Sequence, residues 1–342
     1  MRFRNLIHFG NSRWRQTQPR NSAQQLSSSA LRRGLRVLHL EPDKDGPGRI
    51  YCLPRFRLLS AREPEIVHRE FLADWKVNPQ DTLVMVSYAT PLSTRLLDWF
   101  AERGFATVFR LVDHFREDPE MGPFSQAAQN HLTRRAALVT LSHPELRSLL
   151  ACPRPVLDLP NGLDVQHFSQ ARDRRPQQIT LTFWGTFWGG RLDWPLLTAL
   201  ALRQPDWRFC LIGDRRYLPK SVALPENVLL LGSRHPAQLA EYGQRSHVGL
   251  VPFRQDQDFA RYSNPIKALE YLSTGCPVLS PPNPSLRDYP GVYFYTSLTE
   301  AEEQILQASS FRVPAGQVRQ LRRDHSWDRR FLQILEEFTD DL

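Results

Sequence analysis

The sequence has few cysteines and no long hydrophobic run. Its four cysteines, Cys52, Cys152, Cys210 and Cys276, lie far apart and form no CxxC pair, which favours reduced thiols over a disulfide framework or a zinc site. No apolar run reaches the ~18 residues that a membrane-spanning helix needs. Residues 1–15 lack the apolar core of a secretory signal peptide. These absences predict a cytoplasmic protein without a structural metal.

Lysine is scarce, although basic side chains are plentiful. Of 44 basic residues only four are lysine, Lys267 among them, and the net charge is +8. Residues 1–160 carry 23 basic and 16 acidic side chains, whereas residues 161–342 carry 21 and 20. The basic first half is suited to an anionic surface such as a membrane leaflet, with solubilising charge as the plain alternative. Nucleic-acid binding has no recognition motif to support it, so no nucleic-acid partner is expected.

A length of 342 residues and an alternation of short apolar runs with longer amphipathic stretches predict an α/β protein of two Rossmann-like, doubly wound domains. We expect domains at 1–160 and 161–326 and a terminal helix within 327–342. The polar, proline-containing stretch 169–178 is interpreted as the linker.

The predicted strands and helices follow from the periodicity. Strands are expected at 5–9, 37–41, 83–88, 107–112, 138–142, 156–159, 179–184, 207–212, 228–231, 248–252, 277–279 and 292–295. Helices are expected at 23–33, 91–102, 124–135, 144–150, 194–203, 237–246, 265–274, 298–309 and 327–338.

The segment SNPIKALEYLSTGCPVLS, residues 263–280, carries a first candidate site. Asn264 as N-cap and Pro265 at the first helical position would place Lys267 in the first turn. A cation there opposes the helix dipole, and a phosphate docked on the helix start would explain its presence. Glu270, on the same side one turn later, could accept hydrogen bonds from ribose hydroxyls. The alternative is a capped surface helix with an ordinary Lys–Glu pair.

The segment WGTFWGGRLD, residues 184–193, carries a second. Its glycines let backbone amides approach a ligand, and Arg191 precedes Asp193, the predicted N-cap of the next helix. Both segments are expected beyond the carboxyl ends of strands, where doubly wound sheets bind ligands. Two cationic helix starts in one domain suggest a diphosphate.

The second half resembles the nucleotide-sugar-binding domain of GT-B glycosyltransferases, in particular bacterial enzymes of polysaccharide and cell-surface glycan synthesis. The similar segments are PNGLDVQHF, GTFWGGRLDW, PDWRFCLIGD, NVLLLGSRHPAQLAEY, VGLVPF, NPIKALEYLSTGCPVLS and HSWDRRF. The first half is similar more loosely, through residues 14–42 and the motif RLVDHF.

The resemblance implies a hexosyltransferase-type enzyme that uses a nucleotide-diphosphate sugar, linked to UDP or GDP, without a metal ion or other cofactor. Acceptor binding would fall to the first domain, across a cleft from the second, and the acceptor would be a glycan, a lipid-linked glycan or another envelope component at the inner face of the membrane. Arg191 and Lys267 correspond to the basic pair that stabilises the leaving diphosphate, and Asp113 and His114 to an acceptor-side catalytic position. The implied donor-binding residues are Gly10, Asn11, Gly185, Arg191, Ser233, Arg234, Ser263, Asn264, Lys267 and Glu270.

Tyr262 departs from the pattern, because many retaining relatives carry a glutamate eight residues before the ribose-binding one. Arg254 and Arg261 nearby could serve an acidic sugar or face solvent, and Asp113 could simply cap the turn after its strand. Trp184, Phe187 and Trp188 could stack on a sugar or base or belong to the core. Two other functions stay open: a sugar-nucleotide epimerase of the same architecture, and a degenerate transferase that only binds or acts as a scaffold.

Overall fold

The computed structural model describes most of the chain. The described residues are 2–10, 21–41, 48–53, 59–61, 77–113, 126–150, 156–168, 173–187, 190–256 and 258–339. They divide into two compact units, of which unit 1 comprises residues 1–160 and 327–342 and unit 2 comprises residues 161–326. The linker interpretation of 169–178 is wrong, because the division precedes this stretch and its described part belongs to unit 2.

The described strands of unit 1 form one eight-stranded sheet in the order β4-β3-β2-β1-β5-β6-β7-β8. Strands β1, β2 and β5 to β8 pair in parallel, and β3 and β4 extend the β2 edge in antiparallel register. The strands are β1 Asn5–Phe9, β2 Arg36–Glu41, β3 Gly48–Leu53, β4 Leu59–Ala61, β5 Thr82–Val86, β6 Ala106–Leu111, β7 Leu138–Leu141 and β8 Val156–Asp158. The sequence pattern predicts all of these except β3 and β4.

Within the described part of residues 1–160, the α-helices are α1 Ser22–Arg32, α2 Pro91–Ala101 and α3 Gln126–Arg135. Two of them begin with a capping box, in which the cap side chain and the third helical residue exchange hydrogen bonds. Asn21 and Gln24 form it at α1, and Thr90 and Ser93 form it at α2. The helix expected at 144–150 is a 3₁₀-helix, Pro144–Leu149.

A buried chain of polar side chains crosses the core of unit 1. Ser27 Oγ lies 2.9 Å from His8 Nδ1 and 2.9 Å from His39 Nδ1, and His8 Nε2 lies 2.8 Å from Ser87 Oγ. All four residues are at most 2% exposed. Burial lowers the pKa of His39 to about 3, and burial together with the charges of His39 and Arg110 lowers the pKa of His8 well below its ordinary value. Both imidazoles are therefore neutral at neutral pH.

The described strands of unit 2 form a parallel sheet in the order β11-β10-β9-β12-β13-β14. The strands are β9 Thr180–Trp184, β10 Arg208–Ile212, β11 Val228–Leu230, β12 Val248–Leu250, β13 Val278–Ser280 and β14 Val292–Phe294. Numbered within the unit, the order is 3-2-1-4-5-6, the Rossmann order, whose direction reverses between β9 and β12. Ligands of such sheets bind beyond the carboxyl ends of the strands at that reversal.

The described helices of unit 2 agree with the predicted ones to within a residue, apart from two that the pattern does not predict. They are α4 Trp194–Arg203, α5 Pro236–Arg245, α6 Asp258–Tyr262, α7 Ile266–Ser273, α8 Leu298–Ser309 and α9 Ala315–Asp324, with α6 and α9 the unpredicted ones. Helix α7 lies close to the sheet, since a Cβ on Gly249 of β12 would be 2.3 Å from the Tyr271 ring.

The terminal helix α10, Trp327–Glu336, packs on unit 1. Arg32 of α1 forms an ion pair with Asp328 at 2.8 Å, and the Phe3 and Phe338 rings meet edge to face at 5.7 Å. The apolar face of α10, which the sequence pattern predicts, is buried, and the helix packs against α1 of the same unit.

Cys210 and Cys276 are free and buried, and the side chains of Cys52 and Cys152 lie outside the described part of the chain. Of the helices in the described ranges, none has both the length and the apolar character to cross a bilayer.

Candidate functional site

A glycine turn follows β9 at the point where the strand order reverses. Gly185 has φ +144°, a conformation that favours glycine, and its N–H donates to the Ile212 carbonyl at 3.0 Å. A Cβ on Gly185 would lie 3.3 Å from Lys267 Cε and 3.6 Å from its Nζ. The absence of a side chain at Gly185 therefore brings backbone and a lysine ammonium together.

Gly213, after β10, permits this turn. A Cβ there would lie 2.2 Å from the Gly185 carbonyl oxygen and 2.9 Å from the ring of buried Phe187. Neither the backbone oxygen nor the packed ring has room to move. Gly213, which lies outside residues 184–193, thus helps to maintain the conformation of the turn at Gly185.

We expect Gly213→Ala to lower the free energy of unfolding by about 1–3 kcal/mol, the usual cost of overpacking. Gly190→Ala is the control, since a Cβ at this exposed position would meet no described atom within 4 Å. Urea unfolding of the two variants and the wild type measures the difference. Equal stabilities for Gly213→Ala and the wild type would contradict the packing argument.

Lys267 lies in the first turn of α7, as the sequence predicts. Its Nζ is 4.7 Å from the centre of the Phe253 ring and 5.3 Å from that of Phe183, distances at which aromatic faces attract a cation. The side chain is half-buried. These two rings hold the ammonium at the carboxyl ends of β9 and β12.

Arg191 belongs to a short segment fixed beside the end of β12. Its carbonyl accepts from the Arg254 N–H at 2.9 Å, and the Asp193 N–H donates to the Pro252 carbonyl at 2.8 Å. The Asp193 side chain caps α4 by accepting from the Leu196 N–H at 2.9 Å. The backbone of Arg191 therefore lies beside Arg254, the residue after Phe253, and the Phe253 ring contacts the Lys267 ammonium.

Glu270 lies one turn beyond Lys267 and is 8% exposed. Its Oε2 accepts from the Trp184 indole N–H at 2.7 Å. Burial raises the pKa of Glu270 to about 7, against the Trp184 hydrogen bond and the Lys267 charge, which lower it. Trp184 and Phe187 are themselves buried in the core, and Trp184 contacts the candidate site through its hydrogen bond to Glu270.

Asn264 is not the N-cap of α7; that position is Pro265, without a side-chain cap. The Asn264 carboxamide oxygen instead accepts from the Asn161 backbone N–H at 2.8 Å, and Asn161 Nδ2 donates to the Asn264 carbonyl at 2.7 Å. Ser263 is buried, and its carbonyl accepts from Asn283 Nδ2 at 3.1 Å. Both predicted donor-binding residues help to hold the start of α7 in place.

Ser233 and Arg234 lie between β11 and α5, two strands away from β9. The Arg234 guanidinium donates to the Ser233 carbonyl at 3.1 Å and to the Tyr242 hydroxyl at 3.4 Å. The following residue, His235, has its ring 5.8 Å from that of His167. Because they follow β11, Ser233 and Arg234 lie at the same carboxyl edge of the sheet as Gly185, on the β11 side.

Around Glu270 the sequence reasoning missed a second carboxylate. Asp164 has a charge that raises the pKa of Glu270, and its Oδ2 lies 2.7 Å from His167 Nδ1. Asp164 lies in the segment PNGLDVQHF, which contributes to the resemblance to GT-B glycosyltransferases, but the resemblance assigned no role to this residue. A loop residue 106 positions before Glu270 has no local pattern that could place it there.

The segment from Arg254 to Tyr262, which ends in α6, carries charges that are mostly engaged with one another. Arg254 forms an exposed ion pair with Asp256, and the Arg261 guanidinium lies 5.5 Å from the Tyr262 ring centre. The solvent-facing alternative describes Arg254 and Arg261 better than a preformed acidic-sugar site does.

Two of the four predicted residues of unit 1 lie in the described ranges. Gly10 follows β1, with its N–H donating to the Leu40 carbonyl at 2.9 Å, and a Cβ there would lie 2.6 Å from His39 Nε2. Asp113 follows β6 and is half-buried. Asn11 and His114 lie outside the described residues.

The sequence model of a family described as glycosyl transferase-like matches residues 166–336, half of the chain. The chain belongs to the glycosyl transferase-like family. The match covers α4 to α10, and so includes every candidate residue of unit 2 except those before residue 166.

A curated relative comes from Bacillus subtilis (strain 168): TuaH, named as a teichuronic acid biosynthesis glycosyltransferase. It is 27% identical over 236 residues, which cover 62% of this chain and 59% of TuaH. The chain thus spans less than two thirds of the length of this relative.

Solved structures share the fold of the family over nearly the whole chain. A sucrose-phosphate synthase from Thermosynechococcus elongatus has a TM-score of 0.73 at 14% identity and covers 98% of both chains. Anabaena HepE, solved with UDP and glucose, has a TM-score of 0.62 at 13% identity and covers 98% of this chain and 99% of its own. The family match and the shared fold confirm the predicted relationship to glycosyltransferases and the predicted GT-B fold.

In the described ranges, no three His, Cys, Asp or Glu side chains lie together as a metal site requires. The roles of Arg191, Lys267, Glu270 and the other family positions stay predictions, as does independence from metal.

Proposed function

We propose that the protein transfers a hexose from a UDP- or GDP-linked donor to a glycan or lipid-linked acceptor of the cell envelope. The observation that carries the proposal is the Lys267 ammonium beside the Gly185 backbone, with Glu270 one turn further along α7. A cation at a helix start beside the reversal of strand order suits a diphosphate. The name of TuaH supports an envelope acceptor, and the UDP and glucose in HepE support the donor class.

The proposed chemistry breaks the bond between the anomeric carbon and the diphosphate oxygen and forms a bond from that carbon to the acceptor hydroxyl oxygen. Negative charge grows on the leaving nucleoside diphosphate, and Arg191 and Lys267 stabilise it without a metal ion. The acceptor hydroxyl loses its proton to a base on the acceptor side, for which we propose Asp113 or His114.

We place the reaction in the cytoplasm, at the inner face of the membrane. The net charge of +7 over residues 1–160 supports this placement, since basic surfaces are attracted to anionic lipid and salt screens the attraction. Flotation with phosphatidylglycerol vesicles should carry the protein at low salt and release it at high salt. No flotation at low salt would rule out the membrane placement.

The test of function combines binding with product analysis. Thermal shift against UDP, GDP, ADP, CMP and their sugar conjugates, without added metal, should give stabilisation by a uridine or guanosine diphosphate. Incubation with the sugar conjugate should then release nucleoside diphosphate only when a glycan acceptor is added. Conversion of the sugar without an acceptor would indicate an epimerase, and no nucleotide binding would indicate a degenerate scaffold.

A further inference from the structure

Trp184, the last residue of β9, is held in place by its ring and by its backbone. Its ring stacks on Phe168 at 6.2 Å and lies 3.8 Å from the Tyr271 ring centre. Its backbone N–H donates to the Tyr271 hydroxyl at 3.1 Å, and that hydroxyl donates to the Thr182 carbonyl at 2.9 Å. The indole is 2% exposed, so its N–H has one fixed direction.

That direction is toward Glu270. The structure gives the Glu270 carboxylate one side-chain hydrogen bond from a described residue, the 2.7 Å bond from Trp184 Nε1 to Oε2. An ionised carboxylate can accept about four hydrogen bonds, and leaving a buried acceptor without donors is unfavourable. Oε1 thus has capacity for a ligand that brings hydroxyl donors.

Trp184 also fixes the start of the glycine turn. It immediately precedes Gly185, whose backbone lies against Lys267. Trp184 therefore orients the Glu270 carboxylate and also begins the turn that lies against the Lys267 ammonium. Its position thus links the positions of these two groups.

We propose that Trp184 is the residue that positions Glu270 for the ribose of the donor nucleotide, by holding Oε2 so that Oε1 accepts from a ribose hydroxyl. This inference rests on the proposed function. Trp184 would then have a role in ligand binding, although its burial alone suggests a role in core packing.

The test uses Trp184→Phe, which keeps an aromatic ring in the stack and removes the N–H donor. The probes are UDP and GDP, their 2′-deoxy and 3′-deoxy forms, and inorganic pyrophosphate, titrated calorimetrically. Wild type should bind the ribose form about tenfold more tightly than a deoxy form, as expected for a charged hydrogen bond. Trp184→Phe should lose that preference while keeping its pyrophosphate affinity, which also reports an intact fold.

Glu270→Gln and the double variant complete the cycle. If Trp184 acts through Glu270, the double variant should lose no more preference than Glu270→Gln alone. Equal losses of affinity for ribose and deoxy forms, or additive losses in the double variant, would overturn the positioning role. A wild type that binds pyrophosphate but no nucleotide would instead overturn the proposed function.

The pH profile of UDP binding distinguishes the two roles of Trp184, because a purely structural packing role would leave the midpoint of that profile unchanged. The Trp184 N–H and Lys267 lower the pKa of Glu270, while burial and Asp164 raise it. Removal of the N–H should therefore move the midpoint of the acid loss of binding upward by roughly one pH unit. An unchanged midpoint in Trp184→Phe would contradict the proposal.

Discussion

Lys267→Met is expected to slow sugar transfer by a factor of about 10² to 10³, the effect of removing one preorganised group that stabilises transition-state charge. Methionine keeps most of the side-chain length that crosses the Phe183 and Phe253 rings, while the positive charge is lost. Because charge on the diphosphate grows as the glycosidic bond breaks, kcat should fall together with kcat/KM.

Binding of the nucleoside diphosphate itself should weaken in the same variant by roughly 1.5 to 3 kcal/mol, the range for hydrogen bonds to charged groups. Lys220→Met is the matched control, since Lys220 is exposed and belongs to the segment after the 3₁₀-turn Arg215–Tyr217, outside α7. Initial rates at varied donor concentration separate kcat from KM. A raised KM with unchanged kcat would show that Lys267 binds donor and transition state equally, contrary to its proposed catalytic role.

Acidification from pH 6.5 to pH 5 is expected to lower the free energy of unfolding of unit 1 by roughly 2 kcal/mol through His39 alone, with His8 adding to the loss. The folded-state pKa of His39 is about 3, against an ordinary value of 6.5. In this window the unfolded chain takes up the proton and the folded one does not, so stability falls as pH decreases. The loss continues until the pH approaches the folded-state value.

His39→Gln should flatten this dependence, because glutamine does not titrate. The wild type, measured in parallel, should keep the full dependence. Urea unfolding across this pH range measures both. A wild type whose stability is constant from pH 6.5 to pH 5 would contradict the assignment of neutral, buried imidazoles.

Sequence pattern predicts the strands that carry the site because buried parallel strands are continuous apolar runs with polar flanks. RFCLI is such a run after its exposed arginine, whereas TLTFW is buried throughout but contains two threonines, and both strands agree with prediction to within one residue. Strands β3 and β4 were missed because they are additions to a sheet edge. The pairing of β3 with β2 and of β4 with β3 is a tertiary choice that no local periodicity records.

Local rules also place Lys267 in the first turn of α7 and Asp193 at the cap of α4, since both depend on neighbours within four residues. The prediction of Asn264 as N-cap was wrong because its side chain accepts a hydrogen bond from Asn161, more than one hundred positions earlier. The Trp184–Glu270 bond spans 86 positions. Contacts of that separation are set by the sheet order, and the residue types alone do not reveal them.

The position of α10 bears on the order in which the protein can fold during synthesis. Unit 2 is continuous in sequence, whereas unit 1 needs residues that follow the whole of unit 2 before Asp328 can reach Arg32. Unit 2 can therefore fold while α1 still exposes the surface that α10 will cover. Until then that surface is open to aggregation or to chaperone binding, and loss of α10 would leave it so permanently.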